Sequence, residues 1–255
     1  MLYYVYQGGL VKSIAVYIQK GGTGKTTTAG NLAFTLSQAG CRVLVCDADS
    51  QGNASAWLHP AGIQNEMADV LSGKTKLADA ILKVRENLDI LPTFAIGGSL
   101  KTWAETSLPS KPFAFQDLLQ TIEAAGYSHC IFDLSPGSSI LERSILAAVD
   151  LCLPVIRPET FSVDGLEILK DSLDTVRRDL RARVLVPALV VNGMNKSFAV
   201  HKAYFEQLRK VDYTVYTTGQ STRVTEAQTV NKFLWEHDPK NDLLPEYERL
   251  AKGIM

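Results

Sequence analysis

A glycine-rich segment near the start of the chain has the residue types and spacing of a phosphate-binding loop. Residues 20–27 read Lys-Gly-Gly-Thr-Gly-Lys-Thr-Thr. Glycines let the backbone wrap closely enough for its amide groups to point at phosphate oxygens. In such a loop Lys25 would hold the β- and γ-phosphates of ATP, and the Thr26 hydroxyl would ligate Mg2+. The predicted nucleotide-binding residues of the loop are Lys20, Gly21, Gly22, Thr23, Gly24, Lys25, Thr26 and Thr27.

A second lysine, Lys20, stands five positions before Lys25. A lysine at the start of the loop is poorly placed for the nucleotide of its own chain, but it can reach the phosphates of a neighbouring subunit. We therefore expect an ATPase that works as a nucleotide-bridged dimer, with Lys20 and Lys25 both contributing to catalysis.

Three aspartates follow hydrophobic runs that have the composition of buried strands. Asp133 ends the run 130–132, and Asp47 and Asp49 follow the run 43–46. Ligands bind at the carboxyl ends of the strands in open α/β sheets, so these carboxylates are expected beside the nucleotide. Asp47 and Asp49 are spaced i, i+2 and point the same way. One could orient the water ligands of Mg2+ while the other polarises the attacking water.

The elements that would position these residues alternate between strand and helix. A short apolar run at 13–18 precedes the loop, and a helix-compatible segment at 26–39 follows it. Further strands are predicted at 42–46, 88–91, 130–133, 151–156, 184–191 and 213–217. This alternation predicts an α/β fold of the P-loop NTPase type, with a doubly wound, mostly parallel sheet flanked by helices. Residues 13–255 would form a single domain, preceded by a loose tail at 1–12.

Composition sets limits on the partners and the environment of the chain. Its 255 residues are 46% hydrophobic and carry a net charge of −1, so nucleic acid would have to bind through a local basic patch. The four cysteines form no C-x-x-C pair, which favours reduced thiols. A signal peptide and an apolar run of transmembrane length are both lacking in the sequence, so we expect a cytoplasmic protein without a membrane partner.

The motifs in their order resemble the ParA/MinD class of deviant Walker-A ATPases, and ParA-type partition proteins in particular. The resemblance rests on the loop at 20–28, on Asp-Ala-Asp-Ser-Gln-Gly-Asn at 47–53 and on Asp-Leu-Ser-Pro at 133–136. Weaker blocks follow at 87–92, 158–166, 223–227 and 238–240. Together they cover nearly the whole chain.

This resemblance implies an ATP-dependent switch. ATP would bridge a sandwich homodimer in which Lys20 contacts the partner's nucleotide and Asp49 positions the hydrolytic water. Asp47 and Asp133 would hold the Mg2+ environment together with Thr26. The dimer would bind DNA without sequence preference and associate with the nucleoid. A ParB-type activator or cargo adaptor would stimulate its slow hydrolysis, and repeated release and rebinding would move the cargo.

Several positions depart from the family pattern. Ser50 replaces the proline of the usual Asp-x-Asp-Pro-Gln, and Gln228 replaces the proline of a Glu-Ala-Pro block. Near the base, the usual Ile-Pro-x-Asn is Thr-Gly-Gln-Ser at 218–221, where Gly219 and Ser221 are the expected nucleotide contacts.

The candidate DNA contacts come from late basic residues. Arg223 falls where the family carries a DNA-contacting arginine, and Lys196 and Lys202 are further candidates. The arginines at 177, 178, 181 and 183 have an alternative explanation, because basic side chains favour the C-terminus of a helix.

Other functions fit parts of the same pattern. A ParA-like ATPase that positions a protein cargo would share the whole mechanism. A MinD-like membrane regulator would need a basic amphipathic C-terminal helix, whereas residues 246–255 are short and mixed in charge. An electron carrier would need cluster-binding cysteines, and a metabolic ligase would need a second substrate motif.

Overall fold

The computed structural model describes residues 11–158, 162–195, 197–208 and 213–255. Ten of the twelve residues of the predicted tail lie outside these ranges, and so does the candidate DNA contact Lys196. The first strand begins at Lys12, so this residue belongs to the sheet. The boundary of the domain otherwise stays a prediction.

Nine strands lie within the described ranges. They are β1 (Lys12–Val16), β2 (Val43–Ala48), β3 (Leu82–Arg85), β4 (Leu88–Leu91), β5 (His129–Leu134), β6 (Leu151–Leu153), β7 (Val155–Ile156), β8 (Ala188–Met194) and β9 (Thr214–Gly219).

The same ranges contain twelve α-helices and one 3-10 turn. The helices are α1 (Lys25–Gln38), α2 (Asn53–Leu58), α3 (Met67–Ser72), α4 (Leu77–Ala80), α5 (Leu100–Thr106), α6 (Ala114–Ala124), α7 (Ile140–Ala148), α8 (Ser162–Leu180), α9 (Ala199–Leu208), α10 (Thr222–Thr229), α11 (Leu234–His237) and α12 (Leu244–Ile254). The 3-10 turn is Leu108–Ser110.

The strands form a mainly parallel layer, which confirms the predicted doubly wound α/β fold. Six strands are ordered β3-β4-β2-β5-β1-β6, and β7-β8-β9 form a second, parallel sheet. The edge strand β3, which we did not predict, runs antiparallel to β4. Consecutive strands therefore do not simply lie side by side, and β1 with its phosphate loop sits between β5 and β6.

The two sheets meet at residues 151–156, where we predicted one continuous strand. β6 pairs with β1 and β7 pairs with β8. Pro154 lies between them and has no amide hydrogen to donate, but its carbonyl accepts from Val190 N at 2.9 Å. Cys152 N donates to Leu185 O at 2.7 Å. The nine strands are thus joined by hydrogen bonds across the interruption.

Helices cover both faces of the layer. All six residues of β2 are buried, as expected for a parallel strand covered on both sides. Val43 and Val45 pack on the face that contacts α1, α2 and α12. Leu44 and Cys46 point to the opposite core, which α3 to α9 complete. This burial fixes the ends of β1, β2 and β5 relative to one another, and the predicted site lies at these ends.

Candidate nucleotide site

The glycine-rich loop connects β1 to α1, as the sequence predicts. Gly22 and Gly24 have φ angles of 70° and 95°, in the left-handed region that glycine adopts without strain. A side chain at position 24 would also collide with the Asn192 amide. Gly24 is therefore required both by its backbone conformation and by the close approach of β8.

Lys25 begins α1 and lies almost fully buried within the site. Its Nζ donates to the backbone carbonyl of Lys20 at 3.0 Å, so the side chain folds back across the loop. Burial lowers the pKa of Lys25, and the carboxylates of Asp133 and Asp49 oppose this shift. Lys25 thus lies near both carboxylates, and its predicted role in nucleotide binding and catalysis stays a prediction.

Buried polar atoms around the loop lack partners within the described part of the chain. Thr23 Oγ1 and Thr28 Oγ1 are in this condition, and so are both carboxylate oxygens of Asp133. An unsatisfied buried polar group costs about 1–3 kcal/mol, and more when it is charged. Such a cluster at the end of β1 and β5 fits a site whose partners come from a bound ligand.

The three aspartates lie together at the carboxyl edge of the sheet. Asp47 and Asp133 are direct neighbours in the register of β2 and β5, and Asp49 follows β2. Burial raises the pKa of Asp133 well above its usual range, and the charges of Asp47 and Asp49 raise it further, while the nearby Thr26 hydroxyl and Lys25 oppose the rise. A divalent cation beside Asp133 would favour its ionised form.

The residues at this edge fit Mg2+ bound together with a nucleotide. The carboxylate oxygens of Asp133, which have no hydrogen-bond partner within the described ranges, are the ligand type that Mg2+ prefers, and Thr26 stands at the start of α1. No group of three or more His, Cys, Asp or Glu side chains in the described ranges could hold a metal ion by itself. The phosphates and water would have to supply the remaining ligands.

Asp47 has a structural partner that the sequence did not reveal. Its Oδ2 accepts from Ser55 N at 2.7 Å and from Ser55 Oγ at 2.6 Å, and its Oδ1 accepts from Asp49 N at 3.2 Å. Burial raises the pKa of Asp47 to about 6, although these hydrogen bonds oppose the rise. Asp47 therefore holds α2 and the backbone of Asp49 in place, and its predicted support of Mg2+ stays a prediction.

The second carboxylate of the pair, Asp49, is less constrained. Its Oδ1 accepts a hydrogen bond from Gln51 N at 3.0 Å, which shapes the turn that carries Ser50. No other hydrogen bond to this carboxylate is found among the described residues, so it retains acceptor capacity for a water molecule.

The predicted base contacts, Gly219 and Ser221, stand at the end of β9 with their polar groups already in use. Gly219 N donates to Glu246 Oε2 at 2.9 Å. Ser221 Oγ accepts from Arg223 N at 3.2 Å and caps α10. Their contact with the base stays a prediction.

Sequence reasoning missed Asn192, which connects the loop to β9. Its Nδ2 donates to Thr23 O at 2.8 Å, and its Oδ1 accepts from Thr218 Oγ1 at 2.8 Å. The signal for it was available, because Asn192 follows Val190 and Val191 in the same way as the aspartates follow their strands.

Replacing Asn192 with alanine should loosen the phosphate loop. The variant loses two hydrogen bonds and leaves the buried Thr218 hydroxyl unpaired, so we expect its free energy of unfolding to fall by about 1–3 kcal/mol in urea titrations. ATP affinity should fall as well. Asn241→Ala is the control, because Asn241 also makes two hydrogen bonds, to Asp238 and Leu243, away from the loop. Equal ATP affinity for both variants would contradict the tethering role.

Another side chain that sequence reasoning missed connects the loop to α10. Gln228 Nε2 donates to Thr27 Oγ1 at 3.1 Å. Gln228 occupies a position where the family usually has proline, which has no such donor. In this chain the helix that carries Arg223 is therefore bonded directly to the phosphate-binding segment.

The candidate DNA contacts lie on the surface. Arg223 is exposed, but its Nη1 lies 2.7 Å from Glu226 Oε2. Lys202 is exposed on α9. Arg177 donates to Val184 O and pairs with Asp174, so its position at the end of α8 has a structural explanation.

No helix of the described ranges is long and apolar enough to cross a membrane.

Comparison with known proteins identifies the family. The family model described as AAA domain matches residues 11–186, which is well over half of the chain. The chromosome partitioning protein ParA of Caulobacter vibrioides is 30% identical over 253 residues, which cover 96% of this chain and 94% of that protein.

Solved structures share the fold. A protein from Borrelia burgdorferi described as a plasmid partition protein, bound to AMPPNP, has a TM-score of 0.81 at 24% identity and covers 95% of this chain and 97% of its own. An ATP complex of a McdA variant from Cyanothece has a TM-score of 0.85 at 20% identity, with 97% of each chain covered. The matched domain, the ParA relative and the geometry of the phosphate loop agree, and the chain belongs to the ParA-type partition ATPases of the deviant Walker-A P-loop family.

Proposed function

We propose that the chain is a Mg2+-dependent ATP hydrolase that cycles between a monomer and an ATP-bridged homodimer. The dimer binds DNA without sequence preference, and a ParB-type activator or cargo adaptor stimulates its slow hydrolysis. The observation that carries the proposal is the buried carboxylate of Asp133 beside Lys25 and the glycine loop, whose oxygens accept no hydrogen bond from the residues that the structure describes. Cytoplasmic localisation and association with the nucleoid follow from this function.

The roles of the side chains follow from their positions. Lys25 exchanges its contact with the Lys20 carbonyl for phosphate oxygens, and the loop amides bind the same phosphates. Thr26 and Asp133 would hold Mg2+, which supplies the charge that offsets the phosphates. Asp49 uses its remaining acceptor capacity to orient the attacking water. Asp47 keeps the turn at Asp49 in place through its contacts with Ser55 and the Asp49 amide.

Dimerisation rests on Lys20. Its backbone carbonyl accepts a hydrogen bond from Lys25 of the same chain. The contact that we propose with the nucleotide of the neighbouring subunit is therefore made by the Lys20 side chain. A sandwich dimer formed across the carboxyl edge of the sheet places two nucleotides between the subunits. ATP binding and dimerisation are then coupled.

DNA binding rests on local charge, because the chain is near neutral overall. Arg223 lies on α10, and Gln228 of the same helix bonds to Thr27 of the loop. This link supports nucleotide-dependent binding, since a ligand at the loop can act on the helix that carries Arg223. Two subunits present twice the number of cationic contacts.

DNA binding should depend on nucleotide state and on salt. Random-sequence duplexes titrated with Mg-ATP, Mg-ADP and no nucleotide should bind tightly only with Mg-ATP, and affinity should fall steeply with salt. Arg223→Ala should weaken binding to all DNA sequences about equally. It should also reduce the slope of log affinity against log salt concentration by roughly 0.9 for each phosphate that Arg223 neutralises in the complex.

Arg249→Ala is the matched control, because Arg249 is also exposed and also lies near a glutamate three residues away, with 4.0 Å between Arg249 Nη2 and Glu246 Oε1. Binding that ignored nucleotide state, or that persisted at high salt with preference for one sequence, would favour a site-specific regulator.

One observation bears on the MinD-like alternative. The apolar face of the C-terminal helix α12 is buried against the body of the protein, through Tyr247, Leu250 and Ile254 among others. A membrane-binding helix would have to expose that face. The structure therefore favours the DNA-binding or cargo-positioning function over membrane recruitment.

A further inference from the structure

A second surface lies next to the nucleotide edge. We call it the α7 groove: a cleft of about 920 Å³ between the 3-10 turn, the start of α6, α7 and the end of α8. Three large apolar side chains line it and reach solvent, with exposed fractions of 66% for Phe113, 37% for Ile140 and 45% for Leu180. Single exposed apolar residues are ordinary, but several around one cleft indicate a surface that another molecule covers.

The α7 groove carries an excess of positive charge at one end. Asp179 lies 3.8 Å from Arg143 and 2.9 Å from Arg178, so two arginines share one carboxylate. Arg181 is exposed at the rim and has no ion pair among the described residues. Of these charged residues, Arg143, Arg181 and Asp179 line the groove itself, which leaves one positive charge in excess, and the complementary ligand carries carboxylates.

The backbone conformation of Arg181 is a further observation at the same end of the groove. Arg181 follows the last residue of α8 and has a φ angle of 53°, in the left-handed region. Helices commonly end this way with glycine or asparagine, which adopt the conformation with less strain. An arginine here places its guanidinium at the rim of the groove despite that strain.

The α7 groove is also connected to the hydrolytic site. Its lining includes Ser138 and Ile140, which belong to the segment that leads from Asp133 into α7. The buried Glu142 holds this segment, because its carboxylate accepts from the Ser135 hydroxyl and from Ser139 N at 2.7 Å. A molecule that displaces Ile140 therefore acts on residues adjacent to Asp133.

We propose that the α7 groove binds a segment of a partner protein that presents apolar side chains flanked by carboxylates, and that its occupancy changes the rate of ATP hydrolysis. The effect on ATP hydrolysis rests on the proposed function. The α7 groove would recognise its partner as other peptide-binding grooves do, with apolar anchors giving affinity and charge giving specificity. A second copy of this chain fits less well, because a two-fold contact through the groove would bring the arginine clusters of both copies together.

A random 12-residue peptide library displayed on phage tests the binding step with the full-length protein. We expect the selected peptides to combine apolar and acidic residues. In anisotropy titrations of a labelled synthetic peptide, Phe113→Ser should weaken binding about tenfold or more, because it removes the largest exposed apolar contact. Val230→Ser is the control, since Val230 is also exposed, at 52%, but lies outside the groove.

Arg181→Gly separates recognition from structure. The substitution should lower the affinity for the peptide several-fold. It should also raise the urea midpoint of unfolding, because glycine relieves the strained φ angle. If Arg181 had only a structural role, its replacement would not lower peptide affinity while raising stability.

Several results would overturn binding at the α7 groove: recovery of no peptides, peptides without acidic residues, or equal affinity for wild type and Phe113→Ser. Self-association of the chain that Phe113→Ser abolishes would assign the groove to a second copy instead.

The effect on hydrolysis is measured separately. The peptide should change ATP turnover several-fold in the wild type and leave that of Phe113→Ser unchanged. Peptide binding to an active enzyme without any change in turnover would overturn the coupling through Glu142. A chain that hydrolyses no ATP would refute the proposed function, while the peptide titrations would still decide whether the groove binds.

Discussion

Replacing Lys20 with alanine should abolish ATP-dependent dimerisation and stimulated hydrolysis, while ATP binding by the monomer remains measurable. The substitution removes only the side chain, so the backbone carbonyl that accepts from Lys25 is kept. A hydrogen bond to a charged group contributes about 1.5–3 kcal/mol. Two symmetric contacts contribute about 3–6 kcal/mol, which is roughly a hundredfold or more in the dimerisation constant.

Light scattering with Mg-ATP measures the dimer, and equilibrium dialysis measures nucleotide binding. Lys25→Ala is the matched control, because it removes the other lysine of the loop and should weaken nucleotide binding itself. A Lys20→Ala protein that dimerised normally with ATP would exclude the intermolecular role. Loss of ATP binding equal to that of Lys25→Ala would instead place Lys20 at the nucleotide of its own chain.

Replacing Asp49 with alanine should produce the second large effect, an ATP-bound dimer that turns over very slowly. Groups that position or activate a reacting water typically contribute about 10²–10⁴-fold to the rate. The loop ligands and Asp133 remain, so Mg-ATP binding should change little. Steady-state turnover and the lifetime of the dimer after dilution measure the two consequences.

Asp49→Asn separates chemistry from loop structure. An asparagine oxygen can still accept the hydrogen bond from Gln51 N, whereas the negative charge is lost. If both variants are equally slow, the charge is responsible. If only Asp49→Ala is slow, the defect lies in the turn at 49–52, and unchanged turnover in both would remove Asp49 from catalysis.

Much of the site could be read from local sequence. The glycine spacing identified the phosphate loop, because few other residues allow the φ angles seen at Gly22 and Gly24. Apolar runs ending in aspartate placed Asp47 and Asp133 at one edge, and the structure confirms that they are neighbours in register. These signals are local, since loop conformation and strand burial depend on a few consecutive residues.

Other features depended on contacts between distant parts of the chain. Asn192 binds Thr23 and Gln228 binds Thr27, with 169 and 201 residues separating the two pairs. The sequence around each side chain does not reveal which residue it contacts. The edge strand β3 was missed for a related reason, because an irregular antiparallel pair with β4 leaves only a weak periodic pattern.

The sequence by itself determined the fold class, the phosphate loop and the edge at which the carboxylates meet, because each follows from local backbone preference and burial. Only the tertiary structure decided which polar atoms stay unpaired, how α10 is bonded to the loop, and that Phe113, Ile140 and Leu180 surround one cleft. Those outcomes depend on how the helices pack over the sheet, and packing brings together residues that no short segment of the sequence contains.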